Sequence, residues 1–184
     1  MTTATPWVRA VLKFWFEDSG PEQWFKKDAA FDAAVRSRFL ELHGELALRP
    51  KEGLLSHQQS VLAAVIVFDQ MSRNMFRGTP LAFASDARAL ALAQEAVARG
   101  LDRGLTKDER MFLYLPFEHA EDRQTQARCV ALMASLDDPE LTQWAETHRA
   151  IIDRFGRFPH RNAILGRTST PEELEFLKQP ASSF

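Results

Sequence analysis

Residues 61–68 read Val-Leu-Ala-Ala-Val-Ile-Val-Phe, an apolar run without interruption. A helix built from them has no side that water can wet, so it must be surrounded by other helices and pass through the centre of the domain. The run is far short of the roughly 20 residues needed to cross a bilayer. Burial inside a protein is therefore expected, with no membrane association and a cytoplasmic location. The opening Met-Thr-Thr-Ala-Thr-Pro-Trp-Val-Arg has neither a basic start followed by an apolar run nor a small-residue cleavage site, so it does not read as a signal peptide.

The cover for this central helix has to come from the rest of the chain, and nearly every other segment carries a helical period. No strand alternation or Asn-Gly hairpin signal appears. The first helix is expected over about residues 5–16, before the turn Asp18-Ser-Gly-Pro21. A second runs over about 28–48, with Phe31, Val35, Phe39 and Leu42 on one face. The central helix starts at Ser56, with Gln59 at capping-box spacing, and continues to about Met75. A fourth runs from near Ser85 to Gly100, with Leu90, Ala93 and Val97 inward. Thr106-x-x-Glu109 opens a fifth, which Pro116 ends or kinks. A sixth covers about 122–136, a seventh starts at Asp138-Pro139, and a last opens with Thr170-Pro171-x-Glu173. The expected class is all-α, seven or eight helices joined by short turns as antiparallel pairs. No repeat of fixed period, linker or low-complexity stretch divides the 184 residues, so one domain over 1–184 is expected.

Three polar segments interrupt this apolar pattern. The first continues the central helix as Phe68-Asp69-Gln70-Met-Ser-Arg73-Asn74-Met-Phe-Arg77-Gly78. Asp69, Arg73 and Arg77 recur at four-residue spacing, so the stripe of Leu62 and Ile66 turns from apolar to charged. It either faces a partly enclosed ligand cavity, with Asn74 beside it, or closes the helix end as a ladder of salt bridges. The second is Leu115-Pro116-Phe117-Glu118-His119-Ala-Glu121-Asp122. If helical, Glu118, Glu121 and Asp122 share a face and His119 points a quarter turn away. The chain has neither Glu-x-x-His nor His-x-x-x-His, so no metal and no cofactor is expected.

The third segment, residues 148–167, packs five arginines and two histidines into twenty positions. Trp144, His148, Ile152 and Phe155 follow an apolar stripe, which turns His148 inward, while Arg149 and Asp153 pair on the solvated side. Beyond Gly156 the chain is irregular, and Arg157, His160, Arg161 and Asn162 are its binding candidates. Counting Arg123, which directly follows the second, the three segments hold eight arginines against five acids, Asp69, Glu118, Glu121, Asp122 and Asp153. If they converge, the surplus of three positive charges must meet water or an anion. A small anionic ligand or the acidic end of a peptide is the partner this suggests.

Two alternatives stand beside that reading. One is a hydrolase or transferase on an anionic substrate with Glu118 or His119 as general base, although no nucleophile elbow, phosphate-binding glycine loop or triad spacing is present. The other is an internal polar network that only fixes how helices meet. It predicts no pocket at all, and pairing of all eight arginines with protein acids or carbonyls would favour it. With a formal charge of -2 and a pI of about 6.2, the chain lacks the basic character of a nucleic-acid binder. Its one cysteine, Cys129, forms no intramolecular disulfide and reads as a small apolar filler.

The three segments, with Val11-Leu-Lys-Phe-Trp-Phe16 and Trp24-Phe25-x-x-Asp28-x-x-Phe31-Asp32, resemble a bacterial family known as domain-of-unknown-function family 924. The resemblance covers about residues 10–177, and it implies a tetratricopeptide-like array of helix pairs and no established activity. One departure is visible: the family often places Phe-Pro before its Arg-Asn pair, where this chain has Met71-Ser72. Serine lets the helix continue where proline would kink it, which bears on how Arg73 and Asn74 are aimed.

Overall fold

Aspartate side chains and proline start four of the longer helices. In this computed structural model, which describes residues 5–180 and 182, α1 (Pro6–Lys13) opens with a proline and runs on into a π-helical turn, Phe14–Asp18. After the short α2 (Pro21–Trp24), Asp28 accepts hydrogen bonds from the amides of Ala30 and Phe31 at 2.8 and 3.1 Å and so caps α3 (Ala29–Leu48). The single turn α4 (Lys51–Leu54) precedes the central helix. That helix is built of α5 (Gln58–Ile66), a π turn over Val67–Met71 and α6 (Ser72–Met75). Then follow a 3₁₀ turn (Pro80–Phe83) and α7 (Asp86–Ala98). The remainder is α8 (Lys107–Glu118), α9 (Arg123–Ala134), α10 (Pro139–Phe155), a 3₁₀ turn (Pro159–Arg161) and α11 (Pro171–Phe176).

The all-α class holds, and no strand occurs among the described residues. The expected helices are all present, with α2 and α4 as added single turns. Three details differ. The cap of α5 is His57, whose Nδ1 accepts from the Gln59 amide at 3.2 Å, whereas the Ser56 hydroxyl donates back to the Gly53 carbonyl. On α7 the buried face is Ala89, Leu92, Ala93 and Ala96, so Leu90 and Val97 sit at its margin. Pro116 lies inside α8, which continues to Glu118. Part of the leader reading falls on residues 1–4, which lie outside the described residues.

The described residues form two compact units. The first comprises those up to Arg77 and Leu81–Pro116, and the second comprises Gly78–Pro80 and those from Phe117 on. In the first, every residue from Val61 to Phe68 is fully buried, and α5 packs against α1 and α7. Full burial of such a side chain contributes about 1.5–3 kcal/mol relative to exposure, so this helix dominates the core. Trp15, Trp24 and Phe112 fill a second layer of the same core, and Phe112 meets Trp24 edge-on at 4.9 Å. Trp15 and Trp24 are thus interior groups, whereas Trp7 is half-buried and Phe25 is 64% exposed.

The second unit is framed by α9 and α10, which pack on each other across a turn short enough to make them antiparallel. Asp138 caps α10, and Gly156, at φ 71°, ends it in the left-handed conformation that glycine adopts without strain. Phe158, Ile151 and Ile152 form the buried cluster against which Phe155 and Phe176 pack. No helix of the described residues is long and apolar enough to cross a membrane.

Candidate functional site

The polar end of the central helix lies wholly in the first unit. Asp69 is completely buried, and the Arg73 guanidinium donates to the Asp69 carbonyl at 2.6 Å. The same guanidinium forks onto both oxygens of Asp86 at 3.0 and 3.1 Å. One turn on, Arg77 grips Asp32 through Nε and Nη2 at 2.5 and 2.8 Å, and Asn74 donates to Asp32 at 2.7 Å. Burial alone would raise the Asp32 carboxyl, but Arg77 and Asn74 outweigh it and hold it below the usual carboxylate range. The stripe of Asp69, Arg73 and Arg77 is therefore a ladder, with its partners supplied by α3 and α7.

This geometry depends on the π turn. Widening the helix at Val67–Met71 leaves a carbonyl without its helical partner, and Ser85 donates to the Phe68 carbonyl at 2.8 Å. The Ser72 hydroxyl lies 2.9 Å from Ser85, 3.0 Å from Nε2 of His43 and 3.2 Å from the Val67 carbonyl. Serine at the position of the family's proline thus carries the helix forward and joins α3 to the start of α7.

In the second unit the other two segments come together. The helix stops at Glu118, so Glu121 sits in the following turn and Asp122 becomes the cap of α9, accepting from the Thr125 amide at 2.7 Å. The face shared by Glu118, Glu121 and Asp122 does not form, because α8 ends before it. Glu121 receives the Arg167 guanidinium at 2.6 and 2.9 Å and the Phe158 amide at 2.7 Å. Burial would raise its carboxyl, but these donors hold it below the ordinary range. Arg157 forks onto Glu173 at 2.7 and 2.8 Å and donates to the Thr168 carbonyl. Glu173 is 2% exposed and also accepts from Asn162 and from the Thr170 amide. The hydrogen bond from Arg157 holds its carboxyl down to about 2. Asn162 in turn accepts from Arg167 at 2.9 Å.

Histidine and arginine gather at the centre of this unit. Arg161 is buried and donates to the His119 carbonyl at 3.1 Å. His148 points inward as its stripe predicts, although Trp144 on the same stripe is 46% exposed. Nδ1 of His148 lies 2.9 Å from the Trp144 carbonyl and 3.5 Å from Glu118. A carbonyl oxygen can only accept, so the proton of the neutral ring is on Nδ1. Burial pushes His148 down to about 3, and burial with the nearby Arg161 pushes His160 down to about 4. Cys129 is buried, and desolvation raises its thiol, in keeping with a structural role.

The remaining arginines are engaged as well. Arg149 pairs with Asp153 at 3.3 Å in solvent, Arg123 donates to the Asp153 carbonyl and Arg154 pairs with Glu172 at 2.8 Å. The surplus of three positive charges disappears once Asp32, Asp86, Glu172 and Glu173 enter the count, four acids outside the three segments. Spacing gave no sign of Asp86 or Glu172 as partners. Glu173 was visible only as half of a capping box, which it also is. Among the described residues no group of three or more His, Cys, Asp or Glu is placed to hold a metal ion. Open hollows of about 430 and 530 Å³ lie elsewhere, against Asp137 to Glu146 and against Gly20 to Asp28.

The chain is similar to a solved structure described as a protein of unknown function from Agrobacterium tumefaciens. Identity is 44% and the TM-score is 0.89, over 94% of this chain and 97% of that one. No curated protein matches. A family described as bacterial protein of unknown function matches residues 11–181, and with that match across nearly its whole length the chain belongs to this family, DUF924.

Proposed function

We propose that this is a non-catalytic helical scaffold protein whose polar segments lock its own helices together. One observation carries the reading: each of the eight arginines in those segments has a protein partner, an acid or a carbonyl. Six of the eight guanidinium groups face a carboxylate and the other two, Arg123 and Arg161, donate to backbone carbonyls, so these pairings do not favour the anionic ligand or acidic peptide suggested by the surplus. General-base work by Glu118 is likewise poorly supported, since its side chain is 7% exposed and turned towards His148.

Isothermal titration against phosphate, a nucleotide and a dicarboxylate tests the reading. No saturable heat is expected from any of the three. Saturable binding that is lost in the Arg157→Ala, Arg161→Ala double variant would overturn it and restore the anion-binding interpretation.

A further inference from the structure

The ring of Phe158 is fully buried, and three groups able to carry positive charge surround it. The Arg161 guanidinium lies 4.6 Å from the ring centroid, His148 meets the ring edge-on at 5.7 Å, and His160 tilts against it at 5.7 Å. The same residue pins its segment in place. Its amide donates to Glu121, its carbonyl accepts from Arg167, and its ring packs with Ile151 and Ile152 of α10. An aromatic face attracts one cation well. Two further charges at the same ring repel the first.

We propose that this cluster is an acid-released clasp: protonation of His148 and His160 beside Arg161 drives the segment 156–167 off α10 while the first unit stays folded. The charges facing each imidazole set the direction. His148 is faced by Glu118 and His119 at and just past the end of α8, and by His160 and Arg161 from the 3₁₀ turn. His160 is faced by Arg161, Glu121, His119 and Arg167. Glu121 is already matched to Arg167, so two added protons beside Arg161 outweigh the carboxylate of Glu118.

In the closed segment both imidazoles are neutral, at about 3 and about 4, whereas a solvated imidazole titrates near 6.5. The folded value is depressed, so the stabilisation of the closed form is complete above pH ~6.5 and is lost as pH falls below it. Each histidine adds up to about tenfold to the opening constant per pH unit.

Hydrogen exchange read by mass spectrometry at pH 7 and pH 5, corrected for intrinsic rates, tests the clasp on the full chain. Opening of 156–167 should rise on the order of several hundredfold, with each of the two histidines contributing about 25-fold, while α5 and α7 keep their protection. His160→Gln, at a half-buried position, should cut the rise to about 25-fold. Opening of 156–167 that ignores pH, an equal loss of protection in α5 and α7, or an undiminished rise in His160→Gln would each overturn the proposal. The wild-type profile decides the matter alone if the variant does not fold.

Discussion

Glu173 shows how one side chain comes to serve several ends. It accepts the capping amide of Thr170, the fork of Arg157 and the amide of Asn162 while almost wholly buried. Glutamine keeps the shape but loses the charge that Arg157 faces, so Glu173→Gln should cost about 2–3 kcal/mol in urea unfolding at neutral pH. The pH dependence has a definite sign. A carboxyl held down to about 2 contributes fully above the unfolded value near 4.5 and loses that contribution as pH falls towards 2. The gap between wild type and variant should therefore be widest above pH ~4.5 and close in acid. A gap that persists unchanged to the acid limit would mean that packing, not charge, is what Glu173 supplies.

At the level of the element, both π turns follow one rule. Each sits where a helix widens beside a serine, and in each the serine hydroxyl satisfies a released carbonyl: Ser19 at Phe14, 2.5 Å, and Ser85 at Phe68, 2.8 Å. The widened turn at Val67–Met71 moves the helix from an all-apolar interior to the charged ladder of Asp69 and Arg73. Ser85→Ala removes the donor to a buried carbonyl and a contact of Ser72, which should cost about 1–2 kcal/mol and lower the thermal midpoint. Unchanged stability would indicate that the carbonyl finds another donor.

For the molecule, each of the two compact units holds a fully buried phenylalanine ringed by other aromatic groups. In the first, Phe112 is fully buried and touches Trp15 at 5.5 Å, Phe16 at 5.6 Å and Trp24 at 4.9 Å. Phe112→Ala should cost about 3–5 kcal/mol through the cavity it leaves. Tryptophan fluorescence can follow that loss, because Trp15 and Trp24 are its neighbours. In the second unit Phe158 has the equivalent place, but with histidines and arginine around it in place of tryptophans. A unit centred on titratable rings responds to pH as one centred on indoles does not.

The sequence by itself determined the helices and most of their ends. Asp28, Asp138-Pro139 and Thr170-Pro171-x-Glu173 act within a turn of their own position, so their effect is written locally, and the run at 61–68 had only the interior to occupy. It also determined that His148 points inward and that Arg149 pairs with Asp153, since both follow from helical spacing. Local signals are weaker where two of them compete, as at Ser56 and His57, or where a stripe leaves its cover, as at Trp144. What only the tertiary structure decided is which acid meets which arginine. Asp32 lies 45 residues from Arg77 and Glu121 lies 46 from Arg167. Electrostatic pairing depends on distance in space, to which spacing along the chain is blind beyond a turn or two of helix. On the function proposed above, the residues that look like a binding site in the sequence serve, once folded, as fastenings of the fold.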